Sequence, residues 1–346
     1  MTVSSLTITR PDDWHLHLRD GEAMRSVVGA TARVFARAVV MPNLKPPVTT
    51  VASAAAYRER IAAALPADCR FAPLMTLYLT DHTRVDEIVK ARASGFIIGV
   101  KYYPAGATTN SESGVTDLVR VWPVLAAMEK VGLPLLLHGE VTEPGVDVFD
   151  RERMYVDGPL TRIVGEFPAL KIVVEHITTA EAADFVAAAP ANVAATVTPQ
   201  HLLYSRNALF AGGVRPHLYC LPVLKREAHR QAIVRAATGG NPKYFLGTDS
   251  APHSRHTKQN ACGCAGCYSA HAAIELYAEA FDNAGALERL EGFASFHGPD
   301  FYGLPRNMDT ITLRREAWTV PHQYPMGEHT VVPLRAGENV HWRVLS

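Results

Sequence analysis

The chain has 346 residues, with Lys+Arg and Asp+Glu both at 34 and hydrophobic residues at 48%. That supplies one large α/β core, and a formal net charge of zero gives no electrostatic reason to expect nucleic acid or an anionic membrane surface as a partner. No apolar run approaches the roughly 18 residues of a membrane span. The N-terminal "MTVSSLTITRPDD" lacks the basic-then-apolar order of a secretory signal, and five cysteines leave no complete pairing within one chain. Together these features predict a reduced, cytoplasmic protein.

In chain order, "SLTIT" is the first candidate strand. "RAVVMP", "FAPLMTLYL", "FIIGVKYY", "LPLLLHG", "KIVVEHI", "VAATVTP" and "YFLGTDS" follow. Stretches of helical composition lie between most of them, at 52–65, 85–94, 117–131, 179–189 and 225–237. The strands are apolar at nearly every position, as expected when both faces are buried. Eight such strands with intervening helices predict a (β/α)₈ TIM barrel, read as a single domain over 1–346. A doubly wound sheet would need a glycine-rich phosphate loop after an early strand, and no G-x-G-x-x-G occurs there. From about 308 the chain carries "ITLRREAWTV" and no further repeat, so 308–346 reads as a C-terminal extension, an appended strand or tail.

Polar residues punctuate the strand ends. In "DDWHLHLRDG", His15 and His17 lie two apart, so an extended backbone points them the same way. Alone, the pair could be two half-exposed side chains. Lys101, His138, His176 and Asp249 then follow the apolar runs of the fourth, fifth, sixth and eighth strands, where a barrel places its chemistry. Imidazole and carboxylate at one end of a barrel predict a metal site. Lys101 is the odd member, because an ammonium has no lone pair and repels a cation. It fits if its amine has captured carbon dioxide to become a carbamate, and otherwise reads as an anion-binding lysine at the barrel rim.

These residues resemble the amidohydrolase superfamily and, more closely, the class II, homodimeric bacterial dihydroorotases. The similar stretches are "DDWHLHLRDG", "AVVMPNLKPP", "GVKYYPAGATTNSESGV", "LLLHGEVT", "VVEHITT", "TPQHLLY", "CLPVLKRE" and "LGTDSAPHSRHTKQNACGCAGCYSA", from residue 12 to about 270. The resemblance implies two zinc ions per subunit. His15, His17 and Asp249 would hold one, His138 and His176 the other, with a carboxylated Lys101 bridging. It implies a homodimer, a small-molecule substrate, and reversible cyclisation of N-carbamoyl-L-aspartate to L-dihydroorotate in pyrimidine biosynthesis, with Asp249 as the proton carrier.

The resemblance also gives Arg19, Asn43 and His253 to the substrate carboxylate, and the backbone at Leu221 and Ala265 to its ring. Arg19 has a planar fork suited to a carboxylate, although a surface ion pair would also account for it. Asn43 could be a turn residue before "LKPP". The loop "PAGATTNSESG" reads as flexible or as a lid whose Thr108 and Thr109 donate to substrate. Cys262, Cys264 and Cys267 could suggest a zinc knuckle, but no second cysteine pair stands nearby, and structural thiols are the better reading. Two rivals remain. A hydantoinase or allantoinase would share the metal set without needing a carboxylate clamp, and a non-catalytic relative would keep the barrel but need no ligands.

Overall fold

The computed structural model describes residues 3–345. Among them, strand β1 (Ser5–Thr9) stands apart from the next eight, β2 (Asp13–Leu16), β3 (Arg37–Val40), β4 (Ala72–Tyr78), β5 (Ile97–Tyr102), β6 (Leu135–His138), β7 (Ile172–Glu175), β8 (Val193–Val197) and β9 (Tyr244–Leu246). These eight pair in parallel in chain order. Parallel neighbours need a crossover, and helices such as Gly21–Val34, Val51–Ala63, Val85–Ser94 and Trp122–Val131 supply it. Their ends are chemically specified. Asp20 caps the first of these helices, Thr50 and Ser53 form a reciprocal capping box at the second, and Gly95 and Gly132 end the third and fourth in left-handed conformations.

The barrel closes between β9 and β2. Asp249 N–H donates to His15 O at 2.9 Å, His17 N–H to Ser250 O at 3.1 Å, and Thr248 Oγ1 to His15 O at 3.2 Å. Asp13 staples the same seam, accepting from Thr248 N at 2.8 Å and Thr248 Oγ1 at 2.6 Å. Gly247 permits the approach, because a Cβ there would lie 2.7 Å from Thr196 Cβ and 3.2 Å from His15 Cβ. Trp14, Val39, Met41, Leu136, Val173, Ala194 and Phe245 fill the interior, while their chain neighbours Leu135, Leu137, Ile172 and Val174 join the outer core against the helices. This alternation is the period of two that a strand imposes.

"SLTIT" is not a barrel strand. It pairs antiparallel with β10 (Thr310–Thr319), Ser5 opposite Arg314 and Thr9 opposite Thr310. β11 (Tyr324–Met326) and β12 (His329–Val331) form a separate hairpin, and β13 (Asn339–Val344) completes the three-stranded sheet on the far side of β10. The first barrel strand is instead "DWHL", buried at all four positions. The physical difference is visible in the two segments. "SLTIT" alternates polar and apolar, the pattern of a half-exposed antiparallel strand, whereas the polar residues of "DWHL" are buried, Asp13 in the closing seam and His15 against His17 and Asp249.

Candidate metal centre and active site

The closure seam assembles the first half of the site. His15 Nε2 and His17 Nε2 lie 3.2 Å apart, and Asp249 Oδ1 lies 3.3 Å from the one and 3.1 Å from the other. Four tetrahedral donors about 2.0–2.1 Å from a zinc ion stand about 3.3 Å from each other, so this triangle has the edge length of a coordination polyhedron. Burial holds the imidazoles of His15, His17 and His176 below their ordinary pKa, neutral and with a lone pair to give. Burial opposes ionisation of Asp249, but His15 and His17 outweigh it and hold the carboxyl below its usual range. His17 Nδ1 is oriented by Asn43 Oδ1 at 2.8 Å, a partner of the kind that fixes the tautomer of a ligating histidine. His15 Nδ1 lies 3.0 Å from Glu175 Oε1, but neither atom has a hydrogen-bond partner.

His138 and His176 stand beside this triangle. The ring centroid of His176 is 4.9 Å from those of both His15 and His138. His138 Nε2 is 2.7 Å from Glu140 Oε2, which leaves Nδ1 as its free donor, and His176 Nδ1 is buried with no hydrogen-bond partner. An orphaned imidazole nitrogen in the interior is costly unless something fills its lone pair. Lys101 is fully buried, its ammonium paired with Glu175. The residues fit a cation among His15, His17 and Asp249, and a second group, His15, Glu175 and His176, also brings its donor atoms together, with His138 beside His176.

A narrow pocket opens above them, lined by His17, His138, His176 and Asp249 together with Arg19, Asn43, Thr108, Thr109, Leu221 and Ala265. Arg19 donates through Nε to Pro252 O at 2.8 Å and through Nη2 to His253 Nε2 at 2.9 Å. Among the described residues its Nη1 has no partner. His253 itself stands behind Arg19. Burial, with Arg19 and Lys258 adding to it, pushes its pKa down to about 2, so the ring is the neutral acceptor of the guanidinium. The loop after Lys101 lies over the cavity. Thr109 Oγ1 accepts from Ala265 N at 3.2 Å, Asn43 Nδ2 donates to Thr109 O at 3.3 Å, and Asn110 Nδ2 donates to Asn43 O at 3.2 Å. Asn43 therefore joins His17 to the loop over the pocket, which is more than a turn residue does.

Cys262 is exposed, Cys264 half-buried and Cys267 buried, its thiol facing His217 O at 3.4 Å. Among the described residues, the groups spaced to hold a metal draw on His15, His17, Glu175, His176 and Asp249, and include no cysteine. Glu175 and Glu140 went unread in the sequence. The signal for Glu175 was present, since Val173 faces the barrel interior and a period of two carries the same face to residue 175.

The amidohydrolase family pattern matches residues 9–331. A protein of Nitrosococcus oceani named dihydroorotase is 63% identical over 342 residues, covering 99% of each chain. The crystal structure of a dihydroorotase from Campylobacter jejuni superposes with a TM-score of 0.91 at 34% identity, covering 100% of this chain and 99% of that one. A dihydroorotase from Saccharomyces cerevisiae, solved in complex with 5-fluoroorotic acid, gives 0.90 at 32% identity over 99% of both chains.

Proposed function

The chain belongs to the amidohydrolase family and, within it, to the dihydroorotases, and from that premise we propose how its residues divide the work. The reaction is the reversible closure of N-carbamoyl-L-aspartate to L-dihydroorotate in pyrimidine biosynthesis. His15, His17 and Asp249 would hold one zinc ion and His138 and His176 would serve a second, with Lys101, if carboxylated, adding an anionic ligand in place of its ammonium. When bound, the two ions supply a water acidified to the neutral range and a Lewis acid for the amide carbonyl. The chain does the rest. Asp249 accepts the proton of the attacking water and passes it to the ring nitrogen as the C–N bond breaks. In the synthetic direction it takes the proton from the carbamoyl nitrogen. Arg19 presents its free Nη1 edge to the substrate carboxylate, with Asn43 beside it and His253 holding the guanidinium from behind, so that attack geometry is set before the chemistry. Thr108, Thr109, Leu221 and Ala265 enclose the ring.

The observation that carries this reading is the pocket in which the His17–Asp249 edge of the donor triangle meets the Nη1 edge of Arg19. A hydantoinase or allantoinase substrate has no ring carboxylate for that fork. The resemblance to class II enzymes supports a homodimer, a cytoplasmic location and one domain spanning 1–346. No helix of the described residues is long and apolar enough to cross a membrane. The test is steady-state hydrolysis of L-dihydroorotate with a chelated control. Turnover lost on chelation and restored by zinc is expected. Full turnover by metal-free protein would sink the metal assignment, and hydantoin hydrolysis without dihydroorotate hydrolysis would sink the substrate.

A further inference from the structure

The short helix Arg255–Lys258 ends on a lysine that is only 4% exposed. Lysines are almost never buried this far without a carboxylate, yet among the described residues Lys258 forms no salt bridge. Its Nζ instead spends its protons on three backbone carbonyls, Tyr219 O at 2.8 Å, Cys264 O at 3.0 Å and Gly266 O at 2.6 Å. These carbonyls belong to two loops, 219–222 and 264–266, that carry Leu221 and Ala265 to the cavity wall. Gly266 N–H donates to Tyr219 O at 3.0 Å and ties the loops a second time. Gly266 has φ +144, and a Cβ on it would lie 2.6 Å from Ala251 O, so the chain passes here only as glycine.

In a trans peptide the C=O and the following N–H point in opposite directions. An ammonium that holds the Cys264 carbonyl on one side of the loop therefore turns the Ala265 N–H to the other. That N–H meets Thr109 Oγ1 of the lid at 3.2 Å, at the cavity wall. We propose that Lys258 is a positioning residue for substrate affinity, which aims the Ala265 N–H at the substrate ring and the lid by gripping the carbonyls on either side of it. The proposal rests on the assignment of the Ala265 backbone to the substrate.

The test is the kinetics of Lys258→Met on the zinc-loaded enzyme with L-dihydroorotate. The expected result is KM raised about tenfold or more, kcat within about threefold of wild type, and unchanged zinc content, the pattern of lost binding rather than lost chemistry. Lys258→Arg, which restores a charged donor, should bring KM most of the way back. A purely structural lysine would give a lower melting temperature and a lower apparent kcat at wild-type KM, and that result, or unchanged kinetics, overturns the proposal. If Lys258→Met does not accumulate as folded protein, Lys258→Gln decides the question by the same split between KM and kcat. Wild-type protein inactive on dihydroorotate would instead overturn the substrate assignment, so the two failures are distinct.

Discussion

Arg19, His176 and Asp249 share a backbone that L-residues avoid, with φ of 64°, 45° and 44°. Each such residue costs about 1–3 kcal/mol, and it persists only where the surroundings fix it. Here they do. Tyr57 OH donates to Arg19 O at 2.5 Å, His176 N donates to Thr196 Oγ1 at 2.8 Å, and Asp249 N donates to His15 O at 2.9 Å. The strain aims side chains, and it separates activity from stability. Asp249→Asn keeps the size of the side chain and tolerates the left-handed region, so it should lose roughly 10²–10⁴ in turnover, bind zinc more weakly, and melt within a few degrees of wild type when both are chelated. Turnover near wild type would remove Asp249 from proton transfer. Arg19→Ala removes a charge-assisted contact worth about 1.5–3 kcal/mol and should raise KM roughly 10–150-fold. Unchanged affinity for dihydroorotate would mean the carboxylate is held elsewhere. At this scale the polar residues of the candidate site were legible because His, Lys and Asp stand out at the ends of apolar strands. Glu175 and Glu140 were not, because a carboxylate standing beside a histidine leaves no spacing rule of its own and is recognised only from the face it shares.

Among the elements, the runs that became β3 to β9 were legible because they are apolar on both faces. β2 was hidden because its polar residues are buried in the seam and the site, and β1 was misplaced because its partner lies about three hundred residues away. The sheet of β1, β10 and β13 is bound to the helix Ala273–Asn283 by a bidentate pair, Arg315 Nη1 to Asp282 Oδ2 at 2.5 Å and Nη2 to Oδ1 at 2.8 Å, with Trp342 Nε1 3.3 Å from the same carboxylate. Arg315 leads in holding the Asp282 pKa below its ordinary 3.8. A depressed carboxyl stabilises the fold above its unfolded pKa and loses that contribution as pH falls through the folded value. Asp282→Asn should therefore cost about 1 kcal/mol at neutral pH, a figure kept small by solvent screening, and nothing once both forms are protonated below that range. Denaturant melts at pH 7 and at pH 3 or below measure the difference. An equal deficit at both would show that packing, not charge, is what Asn disturbs. Kinetic constants at neutral pH should not move.

Over the whole molecule, the donor triangle and the barrel seam are one structure, because the hydrogen bonds that close the seam run through the backbone of all three donors, His15, His17 and Asp249. A cation bound there favours the folded chain by about 2.7 kcal/mol at a free concentration a hundred times its dissociation constant. Chelation should lower the melting temperature by several degrees along with abolishing turnover, and zinc should restore both. Chelated protein with an unchanged melting temperature would place the metal away from the seam. The class of fold was legible from the alternation of apolar runs with helical stretches. The closing contact was not, since no local pattern says which distant strand a given edge will meet.

That seam also sets a timetable for the protein's birth. Thr248 meets the His15 carbonyl across 233 residues of chain, which at roughly 5–20 residues per second takes a ribosome about 12–47 s to add. Throughout that interval the nascent polypeptide carries His15 and His17 without the carboxylate that completes their triangle, and an open edge on β2 that only β9 can cover. The proposed metal triangle can therefore be completed only late in synthesis, and a chain stalled before Asp249 emerges has neither a closed barrel nor all three of its donors.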